Sequence, residues 1–235
     1  MCYKPLSKKN GTNNGFRASL VQILFAPFFL LTANVYVILK KIIVTYEESM
    51  AKTNFGKQTF MYPMPVLIIA TYDENGNPNA MNAAWGGIHD TNQIGICIDP
   101  SHKTAKNLLL KKAFTVSMAD AAHVAACDYV GIASGNKEPD KIKKAGFTVS
   151  KSEFVDAPVI NELPMCLECE MVSYDEKTGC MVGNIINVSA EDSVLTNGKI
   201  DPSKLRPITY DPVNHKYLTL GEIAGTAFSD GKSLI

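Results

Sequence analysis

The sequence predicts a mainly β protein, an antiparallel barrel with helices inserted at a few crossovers. Three observations predict it. Short apolar, β-branched runs such as PVLIIATY (65–72), IGICI (94–98) and AFTVSMA (113–119) are bounded by turn residues. Two pairs of runs return on themselves, at DENGNP (73–78) and at KTG (177–179), as hairpins do. Strands and helices show no regular βαβ alternation, which argues against a doubly wound sheet.

PVLIIATY pairs through its turn with the returning segment NAMNAAW (79–85), and IGICI forms the next strand. Asp99-Pro100-Ser101 turns the chain into HKTAKNLLLKK, an amphipathic helix with Ser101 as its N-cap. AFTVSMA is a strand, and Asp120 caps an Ala-rich helix through Tyr129. SGNKEPDKIKKAGF reads as a loop and a short helix ending at Gly146; MCLECEMVSYD and CMVGNIINVSAED then form a long hairpin. HKYLTLGEIAGTAF closes the chain as a strand or a short helix.

At 235 residues the chain suits one medium domain with an appendage, or two small domains. Lys plus Arg equal Asp plus Glu at 23 each, so no overall basic field argues for nucleic acid as a partner. Residues 1–49 nevertheless hold six basic and two acidic side chains, leaving that segment at +4. Within it, the run 20–39 (LVQILFAPFFLLTANVYVIL, Leu20 to Leu39) carries no charge.

Length alone permits a membrane span, since a helix crossing the hydrocarbon core needs about 20 residues. Gln22, Pro27, Thr32 and Asn34 interrupt the run, and no small-residue cleavage site follows it. Met50 opens MAKTNFGKQTF, a plausible soluble N-terminus, and Glu47-Glu48 just before it is what a purine-rich ribosome-binding site gives when translated in frame. The expected division is thus a hydrophobic extension at 1–49, read first as a mis-assigned start and alternatively as an anchor or signal, and a folded domain at 50–235. That places the protein in the cytoplasm, or on a membrane if 20–39 anchors it.

The six cysteines are scattered and read as reduced thiols. Cys166 and Cys169 form a C-x-x-C, but the surrounding PMCLECEMV alternates as a strand, where residues three apart point to opposite faces, so core is the better reading. The four histidines lack H-x-x-x-H or H-x-H spacing, and no metal set is expected. No G-x-S-x-G, P-loop or G-x-G-x-x-G is present, which removes the usual support for hydrolase, kinase and Rossmann readings.

Three segments carry candidate chemistry. DPSHKTAKN places Ser101, His102, Lys103 and Thr104 where a helix N-terminus exposes unpaired N–H groups, so it reads either as an anion site or as a capped surface helix. NAMNAAW puts Asn and Ala, both poor strand formers, into a strand. Small Ala83 and Ala84 beside Asn82 would let a flat ligand approach the backbone, and a tight barrel corner explains them equally. ASGNKEPDK is a Ser-Gly loop running into Asp140 and Lys141, an ordinary loop when taken alone.

Together, in this order, PVLIIATYDENGNPNAMNAAWGG, DPSHKTAKNLL, FTVSMA, DYVGIASGNKEPDK, APVINELPMCLECEM, VGNIINV and YLTLGEIAG resemble the flavin reductase-like family, particularly its flavoredoxin-type members. The resemblance implies a six-stranded Greek-key split β-barrel, the FMN-binding split barrel, which forms a homodimer and holds FMN, in preference to FAD, near the dimer interface. It implies that Asn82, Ala83, Ala84 and Trp85 line the flavin, while Ser101, His102, Lys103 and Thr104 hold its phosphate. Ser117, Ser134 and Lys141 complete the implied site.

Family members often carry Arg where His102 stands and Asn where Ser117 stands. The bidentate fork is then lost, and Lys103 is left to supply charge. The function implied is an NAD(P)H:flavin oxidoreductase. An electron carrier with tightly held FMN, reduced by another protein, and a non-catalytic flavin-binding protein are the alternatives. The flavin carries the redox chemistry, which accounts for the lack of an acid–base pair in the sequence.

Overall fold

The computed structural model describes residues 33–49 and 52–235. Most of the charge-free run 20–39 therefore lies outside the described residues, as do Met50 and Ala51. The chain divides into two units, 1–58 and 59–235. In the first, α1 (Ala33–Ser49) is helical, with residues 35–43 all exposed. Among the described residues no helix is long and apolar enough to cross a membrane.

The second unit begins with β1 (Met64–Pro65), β2 (Leu67–Tyr72), β3 (Pro78–Ala83), β4 (Gly86–Asp90) and β5 (Gln93–Cys97). Helix α2 (Lys103–Lys111) leads to β6 (Ala113–Met118), and α3 (Val124–Ile132) and α4 (Lys141–Lys144) come next. Then come β7 (Val149–Lys151), β8 (Pro158–Ile160) and the long β9 (Met165–Asp175) and β10 (Cys180–Ala190). The chain closes with β11 (Leu195–Thr196), β12 (Lys199–Ile200), α5 (Pro202–Leu205), β13 (Ile208–Asp211) and β14 (Lys216–Thr219).

One curled, fully antiparallel sheet of seven strands in the order β3-β2-β6-β9-β10-β5-β4 forms the split barrel. The resemblance implied six strands; the sheet has seven, with β4 at one edge beside β5, which pairs in turn with β10. Strand β2 is buried on both faces, which is why LIIATY reads as a continuous apolar run. Its Leu67 and Ile69 enter the barrel core with Ile94, Ile96, Phe114, Val116 and Met181. Its Ile68 and Ala70 face the other way, into a second core with Cys127 and Val130 of α3 and Ile142 of α4.

Two crossover helices flank the sheet. Helix α2 buries Ala105 and Leu108 against the barrel core and stops at Lys112, a left-handed residue whose N–H reaches the Leu108 carbonyl. Helix α3 covers the opposite face and continues past Tyr129 to Ile132. Asp120 does not cap it directly: its carboxylate accepts from the N–H groups of Ala122 and His123 in the turn that precedes the first helical residue. Cys166 and Cys169 both lie buried in β9, as expected of core thiols. The C-terminal stretch yields β14, and residues 220–235 are exposed.

Candidate functional site

The start of α2 is open. Ser101, expected as the N-cap, instead donates its N–H (2.8 Å) and its hydroxyl (2.6 Å) to the Asp99 carboxylate. Asp99 captures Ser101 because it sits two residues upstream, the spacing of an Asx turn. His102 therefore occupies the cap position with extended backbone and no side-chain cap bond. The first N–H groups of the helix are left without side-chain partners, at the positive end of its dipole.

Three further features surround that end. Asn79 on β3 donates from Nδ2 to the Thr104 hydroxyl at 2.8 Å. Lys103 donates from Nζ to Asp73 at 3.0 Å. Burial pushes the Asp73 carboxyl up, but Lys103 and the N–H groups of Asn77 and Asn75 outweigh it and hold the group down at about 2. The Lys103 charge is thus largely matched within the protein.

Lys141 is different. Its side chain is 3% exposed, and its Nζ donates to the carbonyls of Val130 (3.0 Å) and Ala133 (2.9 Å) at the C-terminal end of α3. No carboxylate pairs with it among the described residues. Burial, reinforced by the nearby Lys103 charge, lowers its pKa to about 8. A buried, unpaired cation beside an uncapped helix start is an arrangement that an anion stabilises.

These groups line one cavity of about 150 Å³, bordered by Asn79, His102, Lys103, Thr104, Ser134, Gly135 and Lys141. It thus gathers five residues that the sequence placed in a site: His102, Lys103, Thr104, Ser134 and Lys141. Asn82 and Ala84 line a neighbouring cavity of about 230 Å³ on the far side of Gly131, together with Asp128, Tyr210 and Tyr217. Asn82 donates to the Cys127 carbonyl at 3.2 Å, and Tyr217 donates to Asp128 at 2.7 Å.

The other four lie elsewhere. Ser101 is exposed beside the first cavity, its carbonyl accepting from Asn136 at 3.1 Å. Ala83 points into the barrel core. Trp85 falls between β3 and β4 rather than on a strand, with its side chain 58% exposed. Ser117 is fully buried in β6, and its hydroxyl, next to the Cys166 thiol, has no nitrogen or oxygen partner.

Sequence reasoning missed Asn79, Gly135 and Asp73. A Cβ on Gly135 would lie 2.1 Å from the Asn79 side-chain oxygen, so any larger residue there must displace Asn79 or lift the 133–140 loop from β3. The excess of Asn in a strand was the available signal for Asn79. Asp73 reads locally as a turn residue, and nothing near it in the chain points to Lys103. Among the described residues, no group of three or more His, Cys, Asp and Glu side chains could hold a metal ion.

Comparison with known proteins bears on the family and the fold. Residues 59–213 match the flavin reductase like domain. The fold superposes on flavoredoxin of Desulfovibrio vulgaris (Miyazaki F) with TM-score 0.74 and 35% identity, over 77% of this chain and 100% of that one. A flavoredoxin from Methanosarcina acetivorans gives TM-score 0.72 and 31% identity, over 79% of this chain and 100% of that one. A relative from Aeropyrum pernix is 26% identical over 118 residues; the match covers 49% of this chain and spans only 44% of that relative's length.

Proposed function

Because the chain belongs to the flavin reductase-like family, we propose that it binds FMN and moves electrons through it, accepting hydride from NADH or NADPH. The observation that carries this reading is Lys141: a buried ammonium without a carboxylate partner, facing a small cavity that the open end of α2 also enters. The monoester phosphate of FMN supplies the negative charge that both features lack. The N–H groups at Lys103 and Thr104 would bind its oxygens, and Lys141 and the Ser134 segment would close around it.

Asn82 and Ala84 would hold the ring end of the ligand from the second cavity. When bound, FMN supplies the redox chemistry, and the protein's part is to bind, orient and shield it. His102, in place of a guanidinium fork, gives one ring nitrogen, so more of the phosphate recognition falls on backbone N–H groups and Lys141. The working unit is a homodimer on this reading, as the resemblance implies.

A second reading, an electron carrier whose FMN is reduced by another protein, is favoured by the similarity to two flavoredoxins over their full length. One experiment separates the readings. Full-length protein is loaded with FMN, freed of excess, and titrated with NADH and then NADPH without oxygen while the flavin absorbance is followed. Bleaching by either nucleotide supports the oxidoreductase. Bands that persist until dithionite is added favour the carrier or a non-catalytic flavin-binding protein, and no retained flavin overturns the FMN assignment.

A further inference from the structure

The β5–β10 pair carries two cysteines in direct opposition. Cys97 ends β5, Cys180 opens β10, and the antiparallel register sets one against the other. Both are free and exposed. The backbone bonding identifies the type of pair: Cys97 donates its N–H away from β10, to the Trp85 carbonyl at 2.8 Å, whereas Ile98 donates toward it, to Gly179 at 2.8 Å. Cys97 and Cys180 therefore form a non-hydrogen-bonded pair, in which Cα atoms lie about 4.5 Å apart and side chains are closest. That spacing falls within the roughly 4.4–6.8 Å that a disulfide spans.

The register is firmly held. Gly179 has φ +72°, and a Cβ there would lie 2.8 Å from the Ile98 carbonyl oxygen, so the strands meet at this point only because the residue is glycine. Tyr174 adds a hydrogen bond to the same carbonyl at 2.8 Å. Ile96, Ile98 and Met181 point into the barrel, which sends the two intervening thiols together to the outer face. Burial, with the Cys180 thiol as a neighbour, raises the Cys97 pKa, in keeping with the cross-strand register that sets the two cysteines opposite each other.

The remaining described thiols are different: Cys127, Cys166 and Cys169 are enclosed, and burial pushes them up to about 12, 11 and 12. They stay protonated and out of reach of solutes.

We propose that Cys97 and Cys180 are a reversible redox dithiol, a modification site that reacts with disulfides of low-molecular-weight thiols. The thiolate of one cysteine attacks a sulfur of RS–SR, breaking that S–S bond and expelling RS⁻, which takes up a proton. The other cysteine, having lost its proton to solvent, attacks the protein sulfur of the mixed disulfide. The Cys97–Cys180 bond forms, and the second RS⁻ leaves and is protonated. The protein loses two electrons, and one RS–SR becomes two RSH. The new bond would lock the end of β5 just before the Asp99 turn that leads to His102.

The test uses the full chain and oxidised glutathione as the probe, followed by rapid alkylation and peptide mapping. Cys2, outside the described residues, is scored separately. Expected are a Cys97–Cys180 linked peptide that disappears on treatment with dithiothreitol, and no glutathione retained at either position. Cys180→Ser should stop at one glutathione on Cys97, and Cys97→Ser at one on Cys180, because the resolving thiol is gone. Stable glutathione on both cysteines of the wild type, cross-links through a buried cysteine instead, or no reaction at either position overturns the proposal.

Discussion

Asn79 and Thr104 are joined by a 2.8 Å hydrogen bond that ties β3 to the first turn of α2, and both side chains are buried. The other end of the same amide, the Asn79 side-chain oxygen, lies 2.1 Å from where a Cβ on Gly135 would fall. The helix start, the strand and the 133–140 loop therefore meet at one point. Gly135→Ala should displace Asn79 or lift the loop, costing about 1–3 kcal/mol, the usual range for overpacking. FMN affinity should fall with it. Because the clash is with one side chain, Asn79→Ala introduced together with Gly135→Ala should recover part of the loss, and chemical unfolding of both single variants and the double variant measures that coupling.

Lys141 should act on stability and on FMN affinity with opposite signs as pH changes. The unfolded lysine keeps its proton to about 10.5 and the folded one loses it near 8. Between those values the unfolded chain binds more protons, so this group's contribution to stability rises with pH and is most unfavourable below about pH 8. Affinity for FMN should move the other way and decline above about pH 8, as the free protein loses the charge that faces the phosphate. In Lys141→Met both trends should vanish, and FMN binding at neutral pH should weaken roughly 10- to 150-fold, the scale of about 1.5–3 kcal/mol for a hydrogen bond to a charged group. Flavin fluorescence titrations and urea melts across this range check both.

The legibility of the molecule in its sequence depends on the range of the forces involved. The β2–β3 and β9–β10 hairpins were readable because Asp73, Gly76, Asp175 and Gly179 build their turns from local bonds. The two-sided burial of β2 was visible in its continuous apolar run. The Ser101 cap failed because Asp99, two residues upstream, accepts from the Ser101 N–H and hydroxyl, and composition cannot rank this turn against a cap at equally short range. The cavity itself depends on pairs far apart in the chain, Asp73 with Lys103 and Asn79 with Gly135, and no local periodicity records these. The resemblance to a known family brought His102, Lys103, Thr104, Ser134 and Lys141 together, and of the two lysines at the cavity the structure pairs Lys103 with a carboxylate and leaves Lys141 without one among the described residues.

The Asp73–Lys103 pair should appear in acid unfolding. Asp73 is held at about 2 against an ordinary 3.8, so its stabilisation is complete above about pH 3.8 and is lost as pH falls toward 2. Asp73→Asn should be less stable than wild type at neutral pH, and the gap should close on acidification through that window. Guanidinium unfolding at a series of acid pH values measures it; a gap that stays constant down to pH 2 would mean that the β2–β3 turn bonds, not the charge, carry the effect.

Among the described residues the fully buried Ser117 hydroxyl has no nitrogen or oxygen partner, only the weakly bonding Cys166 thiol beside it, and a buried hydroxyl short of a strong partner costs up to about 1–3 kcal/mol relative to a satisfied one. The register places Ser117 beside Ile68, and Ile68 in turn beside Asn82, so an apolar side chain stands between Ser117 and Asn82 of the second cavity. Ser117→Ala should therefore raise the melting temperature, with a gain of up to about 1 kcal/mol, and leave FMN affinity within about twofold. If affinity falls by tenfold while stability rises, the unpaired hydroxyl serves the ligand: the strand must then open toward the flavin on binding, and the unsatisfied group is the cost of a site that is complete only when occupied.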